Sequence, residues 1–266
     1  MKKISGLRTT LFSSAFVLAV VLGGFLLAAD RREAVVTQIV QDVRVLPSHA
    51  AARPASLNET IRQGTGVRTG TDSRAELTFA DQSLTRLGAN TVFSFEQGGR
   101  DLNLSSGAAL ICVPPEAGTV RVSAPAVSAA VSGGIAMFET HKNSWVKVII
   151  IEGQGVITLK SSGQTLTLHS GQMITLPPGA KRFGAVLNID LKKLTKKSLL
   201  IRFAKLPKWV WDLIATEIHQ QETSPPPGGL TDPMGLDAVN QRSATISSTP
   251  TPPPRPTGVP GRSGVH

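Results

Sequence analysis

Between Val35 and Leu176 this chain of 266 residues never holds a helical hydrophobic period for more than two turns. Short apolar alternations succeed one another instead, broken by Gly, Asn, Asp and Pro. Strand side chains alternate between faces, so period two with turn residues between the runs marks an all-β region. In Arg74-Ala75-Glu76-Leu77-Thr78-Phe79 the apolar Ala75, Leu77 and Phe79 share one face and Arg74, Glu76 and Thr78 the other, a half-buried strand. Asp81-Gln82 then turns the chain, and Gly88-Ala89-Asn90 forms a second turn able to accept positive φ between the alternations 83–87 and 91–95. Later strands are expected at 101–104, 109–113, 118–123, 127–131, 135–140, 145–151, 155–160, 164–168 and 173–176. Many short strands at this spacing fit a sandwich, a barrel or a β-solenoid, and the pattern does not choose among them. The unbroken run Val146 to Ile151 reads as a central strand covered on both faces, with Lys147 near its start.

The N-terminus has the layout of an export signal: Lys2, Lys3 and Arg8, an apolar run from Ala15 to Ala29, then Asp30-Arg31-Arg32-Glu33. Residues 1–29 are therefore expected to be a signal peptide or a signal anchor. Cleavage after Ala29 would place Leu27 where a small residue is preferred, and an uncleaved leader would hold the chain in the membrane through residues 9–29. In both cases the basic residues before the run keep the N-terminus inside and carry residues 30–266 across, leaving about ten in the cytoplasm.

Past Pro177-Pro178-Gly179 the pattern changes. Asp190 is placed to cap a helix from Leu191 to about Phe203, and Pro207 to start a second with Val210, Leu213, Ile214 and Ile218 at helical spacing. From residue 223 the chain is rich in Pro, Ser, Thr and Gly, with too little apolar surface to fold. The expected organisation is a leader at 1–29, a lead-in strand and linker at 30–59, a β domain at 60–180, a basic helical segment at 181–222 and a Pro-rich disordered tail at 223–266.

The net charge of +10 suggests nucleic acid until it is divided along the chain. Residues 35–180 hold eleven basic and ten acidic residues, whereas 181–222 hold nine and four. The basic character thus belongs to the leader and one short segment, not to a body shaped around phosphates. Lys192, Lys193, Lys196 and Lys197 read as the solvated face of an amphipathic helix before they read as a phosphate or lipid-headgroup site. With no Tyr and only Trp145, Trp209 and Trp211 as indoles, base stacking is not expected, and nucleic acid is not an expected partner.

Signals for chemistry are sparse. Cys112 is the single cysteine, which excludes an intramolecular disulfide, a dithiol and a Cys-based zinc site within the chain. His49, His141, His169, His219 and His266 show no metal-ligand spacing. Ser132 in Ala130-Val131-Ser132-Gly133-Gly134 resembles a degenerate nucleophile elbow, but residues 135–140 read as another strand where an elbow needs a helix, so Ser132 is assigned to a turn. Gly64-Thr65-Gly66 and Gly70 lack the spacing of a phosphate loop and read as hairpin corners. No catalytic residue, cofactor or metal is expected.

Gly66-Val67-Arg68-Thr69-Gly70-Thr71-Asp72-Ser73-Arg74-Ala75-Glu76-Leu77-Thr78-Phe79-Ala80-Asp81, together with Leu84-Thr85-Arg86-Leu87-Gly88-Ala89-Asn90, resembles the FecR domain of bacterial iron-dicitrate sensors. Ala124-Pro125-Ala126-Val127, the run Val131 to Phe138, Val148 to Gly153 and Ser170-Gly171-Gln172 agree in order, so the resemblance covers about residues 60–175. Gln82 stands where that family usually has Gly, and Ser132-Gly133-Gly134 replaces its usual Arg-Gly-Thr. The resemblance implies an extracytoplasmic β-rich module that receives a signal from an envelope partner such as an outer-membrane receptor. The expected short cytoplasmic end leaves no room for the family's anti-sigma domain, which places the chain with secreted or singly anchored members. The expectation is an exported, non-enzymatic protein-binding or sensory module of the envelope. A carbohydrate-binding or structural envelope protein is the alternative, and sparse aromatics count against it.

Overall fold

The computed structural model describes residues 33–141 and 144–233. The expected leader at 1–29 and the tail from residue 234 onward lie outside the described residues. Strands come in the order β1 Glu33–Val40, β2 Val43–Leu46, β3 Arg53–Pro54, β4 Thr60–Arg62, β5 Gly66–Thr69, β6 Arg74–Phe79, β7 Leu84–Leu87 and β8 Val92–Glu96. They continue with β9 Asp101–Val113, β10 Thr119–Ser123, β11 Val127–His141, β12 Trp145–Leu159, β13 Thr165–His169, β14 Gln172–Leu176 and β15 Leu187–Asn188. Three helices come after them: α1 Leu191–Lys197, α2 Leu199–Arg202 and α3 Lys208–Thr223. The all-β reading holds, and all the strands belong to one hydrogen-bonded sheet. Residues from strands next to its two ends, Val36 on β1 and Leu176 on β14, share one apolar core, so the sheet folds over on itself.

Six of the expected short strands are halves of three long ones. β9, β11 and β12 run through the glycines that read as strand ends. On β11 the core-facing residues are Val127, Ala129 and Val131 and then Ala136 and Phe138, so the face changes from odd to even numbers. The same change separates Leu104 from Ala109 on β9, and Ile150 from Ile157 on β12. Register shifts between Val131 and Gly134, between Ile135 and Ala136, and opposite Val92 and Phe93 supply the extra residues. A one-residue bulge turns every later side chain to the other face, and here it returns both halves of a bent strand to one core. Gly134 sits at such a point with φ 134°, where a Cβ would lie 2.6 Å from the Glu152 carbonyl oxygen. Gly107 plays the same part on β9: φ is 84°, and a Cβ would lie 2.4 Å from the Thr91 Cα.

The outer face of the long strands is also covered. Leu110, Cys112, Ile135, Met137, Ile149, Ile151 and Met173 form a second core with Leu191, Leu194, Val210 and Ile214 of the helices. Val146 to Ile151 is thus the expected two-sided central strand. Asp190 caps α1 by accepting a 2.8 Å hydrogen bond from the Lys193 N–H. The helix expected to reach Phe203 is instead interrupted at Ser198, whose ψ of 119° separates α1 from α2.

The chain on either side of the expected β domain joins the body. Residues 33–62 are integral to the sheet: β1, where a lead-in strand was expected, pairs with both β4 and β6. At the other end the chain after α3 returns to the body. Thr231 bridges Ile189, Asp232 meets Lys197 at 2.5 Å, and the Pro233 carbonyl accepts from buried Lys147 at 3.5 Å. The ordered body therefore runs to at least 233, because backbone and ionic contacts hold a stretch whose composition offers almost no apolar burial.

Candidate functional site

The long family-like block folds into three strands joined by tight turns, and its polar residues are spent on those turns. Thr69 Oγ1 donates to the Gly88 carbonyl at 2.5 Å and accepts from the Thr91 N–H at 2.9 Å. Ser73 Oγ accepts from the Asp42 N–H at 3.1 Å, and the Asn90 N–H donates to the Gly70 carbonyl at 3.0 Å. Asn90 takes φ 53°, as its turn requires. Gln82 takes φ 65°, which explains why Gly suits that position.

Arg86 and Glu76, within the same block, are spent elsewhere. Arg86 lies on the outer face of β7 with no exposure, and Nε donates to Glu76 Oε2 at 2.8 Å. Glu76 Oε1 in turn accepts from Thr37 Oγ1 at 2.7 Å. Arg86 Nη1 donates to the carbonyls of Leu200 at 3.1 Å and Ile201 at 2.9 Å, and Nη2 to that of Lys205 at 3.1 Å. Phe203 covers the guanidinium at 4.8 Å from its ring centroid. Carbonyls at a helix end lack intrahelical partners and attract a cation, and the guanidinium fork can reach several at once. Arg86 thus ties the helical segment to the sheet. The sequence signal was present: Arg86 shares a strand face with Leu84, and a charge beside an inward apolar residue calls for a buried partner.

Lys147, the third residue of β12, is equally buried. It is held by Glu139 at 3.1 Å and lies 4.9 Å from the Trp145 ring. Cys112 is fully buried, and burial pushes its thiol up to about 12, with Glu76 adding to the rise and Arg86 opposing it. Such a thiol stays protonated and unreactive.

Ser132 is placed in mid-strand on β11, not at a turn and not on a strand-to-helix elbow, and its Oγ meets Thr119 Oγ1 at 2.7 Å. His49, His169 and His219 are exposed on separate elements, His141 stacks on Trp145 with centroids 4.1 Å apart, and His266 lies outside the described residues. Among the described residues no three His, Cys, Asp or Glu side chains gather as a metal would need. Gly64 closes a corner onto the Phe95 carbonyl, and Gly66 opens β5. Three of the four helical lysines are paired: Lys192 with Glu222 at 2.6 Å, Lys193 with Asp190 at 3.5 Å and Lys197 with Asp232.

β13 offers a free edge that the sequence did not single out. It pairs with β12 and with no other strand among the described residues. The Leu159 N–H donates to the Gln164 carbonyl, and hydrogen-bonding positions alternate along an antiparallel ladder, so the N–H and C=O of Thr165 and Thr167 point away from β12. Both residues are exposed, and Val156, opposite Thr167, is 41% exposed. An edge of this kind can accept a further strand.

The family model described as FecR protein matches residues 65–154, from the turn before β5 into the second half of β12. This stretch is therefore similar to the FecR family, and β1 to β4 before the match and β13 to α3 after it complete the same body. Two solved structures described as candidate anti-sigma factors from Parabacteroides distasonis ATCC 8503 are similar. One, at 15% identity and TM-score 0.40, covers 50% of this chain, which spans 64% of that protein's length. The other, at 15% identity and TM-score 0.41, covers 69% of this chain and 91% of that one. No curated protein matches this sequence.

Proposed function

We propose that this chain is an exported, non-enzymatic binding module of the cell envelope that takes part in signalling by accepting a strand of another envelope protein along the free edge of β13. The unpaired edge of β13 carries this reading. Main-chain groups of Thr165 and Thr167 supply affinity there, and Val156 beside them supplies an apolar contact for alternate partner side chains. The FecR match over residues 65–154 supports a signalling role, since the best-known members of that family receive signals outside the cytoplasm. Export is proposed on the sequence of the expected leader, and among the described residues no helix is long and apolar enough to cross a membrane. A reporter fused at Gly264 is expected to work only if its activity belongs outside the cytoplasm.

The binding test compares proteins captured from envelope extracts by the wild type and by three variants, at low and high salt. Thr167→Pro removes an outward N–H without touching the ladder to β12, and is expected to abolish capture. Simultaneous replacement of Lys192, Lys193, Lys196 and Lys197 by Ala is expected to leave it intact, and capture should survive high salt. Loss confined to Ser132→Ala would replace this reading with a hydrolase, and loss confined to the lysine variant would move the site to the helices.

A further inference from the structure

Residues 191–211 contain seven lysines and arginines and no acidic residue. The helices they form leave a groove of 960 Å³ floored by Ile201, Leu206 and Ile218, with Lys196, Arg202, Lys205 and Trp211 around it. Lys192 and Lys208, also at the groove, are neutralised by Glu222 and Asp212, each at 2.6 Å. The ammonium groups of Lys196 and Lys205 meet no carboxylate among the described residues. Arg202 spends Nη1 on the Lys196 carbonyl at 2.8 Å, an acceptor that leaves its charge uncompensated. On the same segment Trp211 is 48% exposed and Leu199 is 55% exposed.

Uncompensated cations beside an exposed indole and an exposed leucine make an interfacial surface: the apolar groups enter the acyl boundary while the cations meet anionic headgroups. The groove volume lies at the upper end of the range for one small ligand, about 300–1,000 Å³, which is room enough for a lipid headgroup and upper acyl chain. We propose that this groove seats the anionic headgroup and upper acyl chain of a bilayer lipid, docking the helical segment on an anionic membrane surface. This goes beyond strand addition at β13 and uses the opposite chemistry, charge in place of main-chain hydrogen bonds.

The test keeps the full chain in non-ionic micelles doped with phosphatidylglycerol brominated on its acyl chains, which quenches an indole it touches. The fluorescence difference between wild type and Trp211→Phe isolates Trp211 from Trp145 and Trp209. Quenching of the Trp211 component by brominated phosphatidylglycerol, weak with brominated phosphatidylcholine and relieved by salt, is expected. The double variant Lys196→Gln/Lys205→Gln loses two ammonium groups that have no ionic partner in the body, so the fold stays intact. At about fivefold per cation, half-quenching should need about twenty-five times more lipid. Equal quenching by the two lipids, an unquenched Trp211, or a double variant that behaves as wild type would each overturn the proposal.

Discussion

Arg86 Nη1 and the carbonyl of Ile201 stand 2.9 Å apart across 115 residues of sequence. The bond leaves the FecR match and enters the helical segment beyond it, so it ties the two together. Arg86→Met should cost about 3–5 kcal/mol, because it leaves Glu76 as a buried charge without its cation and frees three carbonyls. Arg86→Lys should recover only part of this, since one ammonium cannot span Glu76, Leu200, Ile201 and Lys205 as the guanidinium fork does. Denaturant unfolding measures both, and a loss below about 1 kcal/mol for Arg86→Met would show that the helices are held by apolar contacts alone.

Gly134→Ala should destabilise by at least about 1–3 kcal/mol, because strain at φ 134° is joined by a Cβ 2.6 Å from the Glu152 carbonyl oxygen. If the bulge sets the facing of β11, the variant should also lose the sharp thermal transition that a uniquely packed core gives. Wild-type melting behaviour would show that the bulge can relax.

What could be read in advance was what local chemistry decides. Period two placed Ala75, Leu77 and Phe79 in the core, turn chemistry placed positive φ at Asn90, and the Asp190 cap needed only its neighbours. The long strands were missed because a bulge that reverses facing looks, in one dimension, like the end of a strand. The free edge of β13 and the partners of Arg86 were missed for a different reason: the pattern could mark Arg86 as needing a buried partner, but which segment lies alongside is set by distant chain. Local composition likewise misplaced residues 224–233, whose order comes from Ile189, Lys197 and Lys147.

Deletions from the C-terminus should act in steps. Removing 234–266 should leave the melting temperature unchanged, since that stretch is rich in Pro, Ser and Thr with little to bury. Ending the chain at Ser224 also removes the bridge at Thr231, the Asp232 ion pair and the Pro233 carbonyl that accepts from Lys147, at a cost of about 1–3 kcal/mol for the lost acceptor at a buried cation. Ending it before Pro207 should cost a further 3–6 kcal/mol, roughly the burial of Val210 and Ile214.

Cys112 reports global unfolding. Its thiol is fully buried and pushed up to about 12, so labelling by a thiol reagent should proceed only as fast as the protein opens. The unfolded thiol releases its proton near pH ~8.5 while the folded one holds it, so stability should fall above that pH by about 1.4 kcal/mol per unit. Cys112→Ala should remove this alkaline slope. Rapid labelling of the native protein would show that the outer core under α1 to α3 opens locally.

Glu152 should set the acid side of the stability profile. Its carboxyl is half-buried behind Gly134, Oε2 has no hydrogen-bond partner among the described residues, and burial together with the charge of Glu217 on α3 raises its pKa above the ordinary carboxylate value. A folded pKa above the unfolded one means that the folded state binds the extra proton. The contribution of this group to stability is therefore greatest below the unfolded value and declines as pH rises through the folded one, as the ionised carboxylate is left desolvated and facing Glu217. Glu152→Gln keeps the shape without the charge, so it should stabilise the protein at neutral pH and flatten the profile between mildly acidic and neutral pH. Glu217→Gln should lower the Glu152 pKa and recover part of the same gain. Urea unfolding of the three proteins across that range decides the matter: a Glu152→Gln profile with the wild-type slope would show that another group carries the pH dependence.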